Sequence, residues 1–572
     1  MLFLTALGIE QEVYSRVFTA GMRWIMPILT VILLFRCIRP LIAFRREPEI
    51  WAWLCLSNGT KLPVTHWENV IGSNKRSDII IDFPTVSRTH GVLTRYDDGS
   101  WSISDAESKD GITVNGKAIG MCELEQGDVI GIGGIEMTLQ PISKRQEQRL
   151  AQLRTSSASV AGSFANVLLL TVIQVLCCVS YLLGGSVEHT ESVLVGFSGI
   201  ILAQWLLLLF YFCIKRTSFE VEALAFFLCT LGMAVICAVK PNEAVKQLVA
   251  LGLGIILFVF TGLSLRNLKW AQIFRYVAAF AGIGFLVITL LFGQEYYGAK
   301  NWLVINSISL QPSELSKVCF VYVGASVMNR IVTKRNMFLF IAYSAVICGC
   351  LALMNDFGTA LIFFCAFLVI AYMRSGSVGT LALACMALAF AGVLALKIAP
   401  HALRRFSSWR HIWEVPLDGG YQQTRALMCM ASGGFLGLGA GNGWMKHMFA
   451  ADSDVAVATL GEEWGLIMVL LAMLVIVALA IFSVRSAAVG RSSFYIISAC
   501  AAVAILMVQT ILNLLGTVDV LPLTGVTFPF LSNGGSSMIC SWGLLAFVKA
   551  ADTRQNASFA VPLAKNGGEA NE

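Results

Sequence analysis

The chain alternates between two textures. Stretches of about 20 residues that are apolar on every side recur along most of the sequence, and that is the length needed to cross a hydrocarbon core. Between the first two of them, from residue 51 to 141, short runs alternate apolar with polar, as in Asp78-Ile79-Ile80-Ile81-Asp82 and Ser100-Trp101-Ser102-Ile103-Ser104. The first texture predicts transmembrane helices, the second a small all-β sandwich. Spans are expected near 17–35, 162–184, 191–213, 219–240, 246–266, 275–293, 314–330, 337–354, 357–373, 378–398, 464–484, 493–515 and 534–550. The fold class is therefore a polytopic α-helical membrane protein carrying a small sandwich. Five regions follow: a transmembrane helix with its basic flank (1–46), the sandwich (50–141), a charged linker (142–160), a membrane body (161–551) and a tail expected to be disordered (552–572).

Charge orients this layout. Arg36, Arg39, Arg45 and Arg46 follow the first span, and basic residues such as Lys215/Arg216, Arg330/Lys334/Arg335, Arg374, Arg485/Arg491 and Lys549/Arg554 recur after alternate spans. Such groups mark cytoplasmic loops. The sandwich is then cytoplasmic, the N-terminus lies outside the plasma membrane, and segments 294–313, 401–463 and 516–533 face outward. Hydrophobic residues at 57% against charged residues at 13% exclude a soluble protein, and a net charge of +6 is no nucleic-acid signature. The sixteen cysteines sit mostly in apolar runs, with neither C-x-x-C nor H-E-x-x-H spacing, so no structural metal is predicted. Residues 1–12 lack the basic and apolar runs of a cleavable signal, so removal is not expected.

Chemistry is expected in the outward loops. Segment 401–463 is long and rich in Trp, Arg, Gly and Asp, which favours a folded cap over a loose connector, although dense glycine also suits tight helix packing. Here Arg404-Arg405-Phe406, Gly420-Tyr421-Gln422, Ser432-Gly433-Gly434, Gly437-x-Gly439, and Asp454 eight residues before Glu462-Glu463-x-Gly465 stand in order. Gly298-Ala299-x-x-Trp302 precedes Gln311-Pro312-Ser313-Glu314-Leu315-x-Lys317, Asp356-Phe357-Gly358-Thr359 follows, and 513–537 holds Pro522, Gly525, Ser532, Gly534, Gly535 and Ser536.

In order and spacing these motifs resemble the SEDS family (shape, elongation, division and sporulation proteins), over roughly 275–549. The resemblance implies a peptidoglycan glycosyltransferase that polymerises lipid II outside the cytoplasmic membrane, with a class B penicillin-binding transpeptidase as partner. It implies that Asp454 is the catalytic carboxylate, consistent with the need for a general base as a sugar hydroxyl attacks. Asp452, two residues too early for that spacing, is expected to be dispensable. The substrate-binding set it implies is Trp302, Lys300, Lys317, Glu314, Arg404, Arg405, Gln422 and Asp356; cations offset the charge of a diphosphate leaving group. Glu314 and Lys317 also share a helical face and could simply pair. A divalent cation is neither required nor excluded, and no cofactor is identified.

Within the sandwich, Gly72, Ser87-Arg88-Thr89-His90, Ser108-Lys109-Asp110-Gly111, Asn115-Gly116 and Gly127-Asp128 resemble the forkhead-associated (FHA) domain, a phosphothreonine reader. That resemblance implies a phosphate site at Ser87, Arg88 and Lys109, with His90 buttressing the loop. Ser73 and Asp110 depart from the family's Arg and Asn. A plain docking module is the alternative. For the whole chain the alternatives are a lipid II flippase, whose internal repeats are not found, and a phospho-regulated scaffold.

Overall fold

The computed structural model describes residues 11–43, 50–75, 77–96, 99–143, 145–146, 159–184, 189–266, 268–296, 298–305, 308–328, 334–398, 400–487, 492–554 and 556–559. Most of the expected charged linker lies outside the described residues.

The first span is α1 (Gln11–Ile42). The alternating region forms eleven strands, β1 (Ala52–Leu56), β2 (Lys61–Val64), β3 (Glu68–Gly72), β4 (Ile79–Ile80), β5 (Gly91–Arg95), β6 (Trp101–Asp105), β7 (Ile112–Val114), β8 (Lys117–Ile119), β9 (Met121–Leu124), β10 (Val129–Ile132) and β11 (Ile135–Pro141), in two packed, mostly antiparallel sheets ordered β2-β1-β11-β10-β7-β8 and β4-β3-β5-β6-β9. Alternation buries one face of each sheet, so Leu54, Ile71, Leu93, Ile103, Ile112, Ile130 and Ile132 meet in one core. The sandwich meets the helical body at Glu68 on β3 (Glu68–Gly72), beside Arg374 and Ser493. Burial raises its carboxyl to about 7, against the charge of Arg374 and a hydrogen bond from Ser493.

Twelve helices correspond to the remaining expected spans. They are α2 (Val160–Gly184), α3 (Thr190–Cys213), α4 (Glu220–Val239), α5 (Ala244–Ser264), α6 (Leu268–Phe292), α7 (Pro312–Met328), α8 (Lys334–Leu353), α9 (Phe357–Ser375), α10 (Val378–Ile398), then, after two short helices of the cap, α11 (Pro400–Ser408) and α12 (Tyr421–Gly433), α13 (Ala456–Ala487), α14 (Ser493–Thr517) and α15 (Gly535–Ala550). Among the described residues ten helices, α1 included, are long and apolar enough to cross a membrane. α4 is buried nearly all round and forms the centre of the bundle, whereas α6 turns Ile273, Phe280, Leu291 and Phe292 outward, as a lipid-facing helix would.

Three features differ from the sequence expectation. Segment 294–313 folds into a small sheet of β12 (Gln294–Tyr296), β13 (Ala299–Ile305) and β14 (Ile308–Leu310). The span expected from Trp464 begins at Ala456 and is broken at Gly465, whose φ of 85° and ψ of 164° are not helical. Apolar counting found only the part beyond the break, because Glu462 and Glu463 lower the hydropathy before it. Finally, the start of the expected disordered tail is folded: Asp552 and Arg554 are buried, and Phe559 packs edge-on against Tyr211 and Phe258.

At that end of the bundle, charges gather between α3, α4 and α15. Lys549 Nζ donates to Glu222 Oε2 at 3.1 Å and to the Ser218 carbonyl at 3.0 Å, and Tyr211 donates to Glu222 Oε1 at 2.6 Å. Arg554 pairs with Asp552 at 2.7 Å and lies 3.4 Å from Glu220 Oε2. Glu220, Glu222, Asp552, Lys549 and Arg554 thus each have an opposite charge beside them, which offsets the cost of burying them.

Candidate active site

Asp454 sits on the turn that leads into α13, two residues before its first helical position. It is half-buried against the loop between α14 and α15, and an added Cβ on Gly525, whose φ is +70°, would lie 3.4 Å from Asp454 Oδ2. Glycine here leaves the carboxylate its space. Burial holds the Asp454 carboxyl above the usual aspartate range and the charge of Asp452 adds to it, while a Ser453 hydrogen bond and the charge of Arg405 pull the other way. An exposed loop carboxylate would show none of this.

The 513–537 loop is the hub of the site. Asn513 Nδ2 donates to the carbonyls of Asp454 and Val526, both at 2.8 Å, and Ser532 Oγ donates to the Ser453 carbonyl at 2.6 Å. Arg405, on α11, donates from Nη1 to the Thr524 carbonyl at 3.0 Å, which keeps its guanidinium beside Asp454. The neighbouring Trp409 and Arg410 bond Val520 and Asp519 of the same loop. The cap is thus laid on the loop through several independent bonds.

Asp452 is not the free loop carboxylate that its position suggests. It is buried, Lys240 Nζ lies 3.0 Å from its Oδ1, and Asn533 Nδ2 donates to its Oδ2 at 2.7 Å. It is a structural anchor for the turn, not a dispensable neighbour. Lys240, Asn513 and Asn533 were not among the expected site residues, although Asn513 and Asn533 lie in the 513–537 motif and Lys240 closes an apolar span.

The other candidates form a second group on the same hub. Asp356 caps α9 by accepting from the Thr359 amide at 3.1 Å, and it also accepts from Asn301 at 3.3 Å and Gln311 at 3.4 Å. The Gln311 amide in turn donates to Ser536 Oγ at 2.8 Å, and an added Cβ on Gly358 would lie 3.1 to 3.2 Å from Val526 and Thr524 side-chain atoms. Lys317 Nζ pairs with Glu314 Oε1 at 2.6 Å, both buried, while Glu314 Oε2 is buried with no partner among the described residues. The intrahelical pairing expected from their spacing therefore forms, and one carboxylate oxygen is left over.

Lys300 Nζ is taken by the Leu290 carbonyl at 2.7 Å, and Gln422 Nε2 by the Phe449 carbonyl at 3.3 Å, so both brace backbone here. Trp302 lies on β13 opposite Gln294, partly buried. Arg404 lies on α11, its side chain outside the described residues. Among the described residues no three His, Cys, Asp or Glu side chains gather as metal ligands.

The glycine run is a plug in the broken helix. Because Gly465 interrupts α13, the carbonyls of Glu462 and Glu463 accept from the Leu438 and Gly439 amides at 2.8 and 2.9 Å, and Leu466 donates to the Gly434 carbonyl at 2.9 Å. Glu462 also accepts from the amides of Trp444 and Met445 at 2.9 and 2.8 Å. Close approach excludes side chains: an added Cβ on Gly437 would lie 2.2 Å from the Glu463 carbonyl oxygen.

In the sandwich, Ser73, Asn74, Lys75 and Arg88 line an open pocket with Asp82, Phe83, Pro84 and Val86. His90 is fully buried, accepting at Nδ1 from the Ser87 amide and bonding the Gly111 carbonyl through Nε2, both at 3.0 Å. Ser87 Oγ accepts from the Lys109 amide at 3.1 Å, and Ser73 Oγ donates to the Val86 carbonyl at 2.8 Å. Arg88 and Lys109 are exposed.

Residues 234–557, more than half of the chain, match the FtsW/RodA/SpoVE model described as cell cycle protein, and residues 69–133 match the FHA domain. A protein named peptidoglycan glycosyltransferase RodA from Mycobacterium tuberculosis is 27% identical over 331 residues, 54% of this chain and 70% of that one. A probable peptidoglycan glycosyltransferase FtsW from Buchnera aphidicola is 30% identical over 289 residues, 48% of this chain and 72% of that one. A solved chain described under structural coordination of polymerization and crosslinking by a peptidoglycan synthase complex shares the fold with a TM-score of 0.50 at 24% identity, covering 58% of this chain and 96% of that one.

Proposed function

The chain belongs to the FtsW/RodA/SpoVE cell cycle protein family, and from that premise we propose that it polymerises lipid II with Asp454 as general base. It is a multi-pass membrane peptidoglycan glycosyltransferase with an FHA domain. In the reaction, a sugar hydroxyl of one substrate attacks the anomeric carbon of a lipid diphosphate sugar. The hydroxyl proton passes to Asp454, the bond from that carbon to the diphosphate oxygen breaks, and the lipid diphosphate leaves with the electron pair. Arg405 stands beside Asp454 to offset the leaving charge, with Lys240 held nearby through Asp452. The unpartnered Glu314 oxygen is suited to accept from a substrate hydroxyl or amide.

The observation that carries this reading is the half-buried Asp454, faced by Gly525 and with Arg405 beside it, against a loop that also receives Gln311 and Gly358 from two other motifs. Purified protein given lipid II should yield glycan polymer on a gel, with and without a class B penicillin-binding transpeptidase. Movement of intact lipid II across vesicles without polymer would favour the flippase instead.

The reading also requires the cap outside and the sandwich in the cytoplasm. Once native labelling cysteines are replaced, a cysteine at Ser407 should react with an impermeant thiol reagent in protoplasts and one at Ser100 should not. Equal labelling of both would reverse the reading.

We assign the FHA pocket to phosphothreonine through Arg88, exposed at its edge, with Lys75 standing in for the charge that Ser73 lacks. Arg88→Ala should weaken phosphopeptide binding by about 1.5–3 kcal/mol in calorimetry. Absence of binding by the intact domain would leave it a docking module.

A further inference from the structure

The matched family region starts inside α4, so α1, α2 and α3 lie outside it. Two of these three helices reach the glycine plug. From α1, Arg23 donates to the Leu438 carbonyl, and Thr19 Cγ2 fills the space where Gly439 would carry a side chain. From α2, Tyr181 OH donates to Glu463 Oε2 at 2.6 Å and accepts from Trp464 Nε1 at 3.1 Å. At the end of the same helix an added Cβ on Gly184 would lie 2.5 Å from the Ala440 carbonyl oxygen, so that backbone fits directly onto the plug.

We infer that Tyr181 is a positioning residue for glycan transfer, holding through Glu463 the short outward rod 456–464 at whose start Asp454 stands. The mechanics follow from the break at Gly465. A continuous helix would fix that rod through its own i to i−4 bonds, but here two of those carbonyls accept from the plug. The rod's direction therefore depends on what holds the plug and Glu463. Thr459 Oγ1, donating to the Ala451 carbonyl at 2.7 Å, ties the rod to the turn that carries Asp454. A tilt at Gly465 displaces the base, and displacement of about 1 Å is enough to lower turnover severely.

The kinetic part of this inference rests on Asp454 being the base, so the test has a readout free of that assumption. Tyr181→Phe keeps the ring against Phe197 and Trp464 and removes only the hydroxyl. Hydrogen exchange should quicken in segments 434–445 and 452–466, and kcat should fall about tenfold, the scale of a bond to a charged group, with KM unchanged. Glu463→Gln should lose a similar factor, and the double variant should be no worse than either alone. Parental exchange and kcat in Tyr181→Phe, or losses that multiply in the double variant, would overturn the inference. If Tyr181→Phe does not hold its melting temperature, Arg23→Gln, acting on the same plug from α1, is read by the same two measurements. If the parental protein makes no polymer, the reading of Asp454 fails, and exchange alone still decides whether Tyr181 holds the rod.

Discussion

Asp454→Asn should reduce polymer from purified protein to near background, a loss of about 10²–10⁴-fold, the usual worth of general-base assistance. The amide keeps the size of the carboxylate and can still sit beneath Gly525, so expression and melting temperature should be close to parental. The pH profile supplies a second check. Burial holds the Asp454 carboxyl above the ordinary aspartate range, so the unprotonated base is lost sooner as pH falls, and the acid limb of kcat should lie above that range. Arg405 opposes the shift; Arg405→Ala should move the limb further up as well as slowing the reaction. Asp452→Asn is unsuitable as a control because its buried carboxylate anchors the turn through Lys240 and Asn533. Glu414→Gln, on an exposed pair with His411, serves better and should retain parental activity. Full polymerisation by Asp454→Asn would return the flippase and scaffold readings to the front.

Lys317→Met should be the most damaging change to stability among the site residues. The ammonium is fully buried, 2.6 Å from Glu314, and the second oxygen of that carboxylate already lacks a partner. Removing the cation strands a charge inside α7, and breaking a buried pair from one side typically costs about 3–5 kcal/mol. Thermal melting in detergent should show a marked drop. Glu314→Gln combined with Lys317→Met removes both charges and should recover most of the melting temperature, yet not the polymer, if the pair also meets substrate. Recovery of both would reduce the pair to a structural role; an unaltered melt in the single variant would show that water reaches the site.

Hydrophobic runs, alternation and basic residues were enough to read the helices and the sandwich, because span length and strand period are local properties. The candidate site was legible as motifs but not as a place. Asp454, Arg405, Asp356 and Gln311 were named from the sequence, whereas the loop that unites them was visible only as glycine and serine spacing. Partners such as Lys240 with Asp452, 212 positions apart, or Tyr181 with Glu463, 282 apart, leave no periodic trace. The start of α13 was misplaced for a physical reason: Glu462 and Glu463 are polar toward a window count, yet they are spent inside the protein as acceptors for the plug. Asp452 was underrated because a loop carboxylate looks solvated until its partners are folded onto it.

The charge cluster between α3, α4 and α15 has a consequence for how the chain is made. Glu220 and Glu222 enter the bundle at the head of α4, yet Lys549 and Arg554, their cations, follow 327 and 334 positions later in the pairs they form. Before that the hydroxyls of Tyr211 and Ser218 are already there to donate to them. A buried carboxylate without a counter-charge is costly. The bundle therefore locks last where it began: a chain that stops short of Lys549 has a central helix still without these two counter-charges.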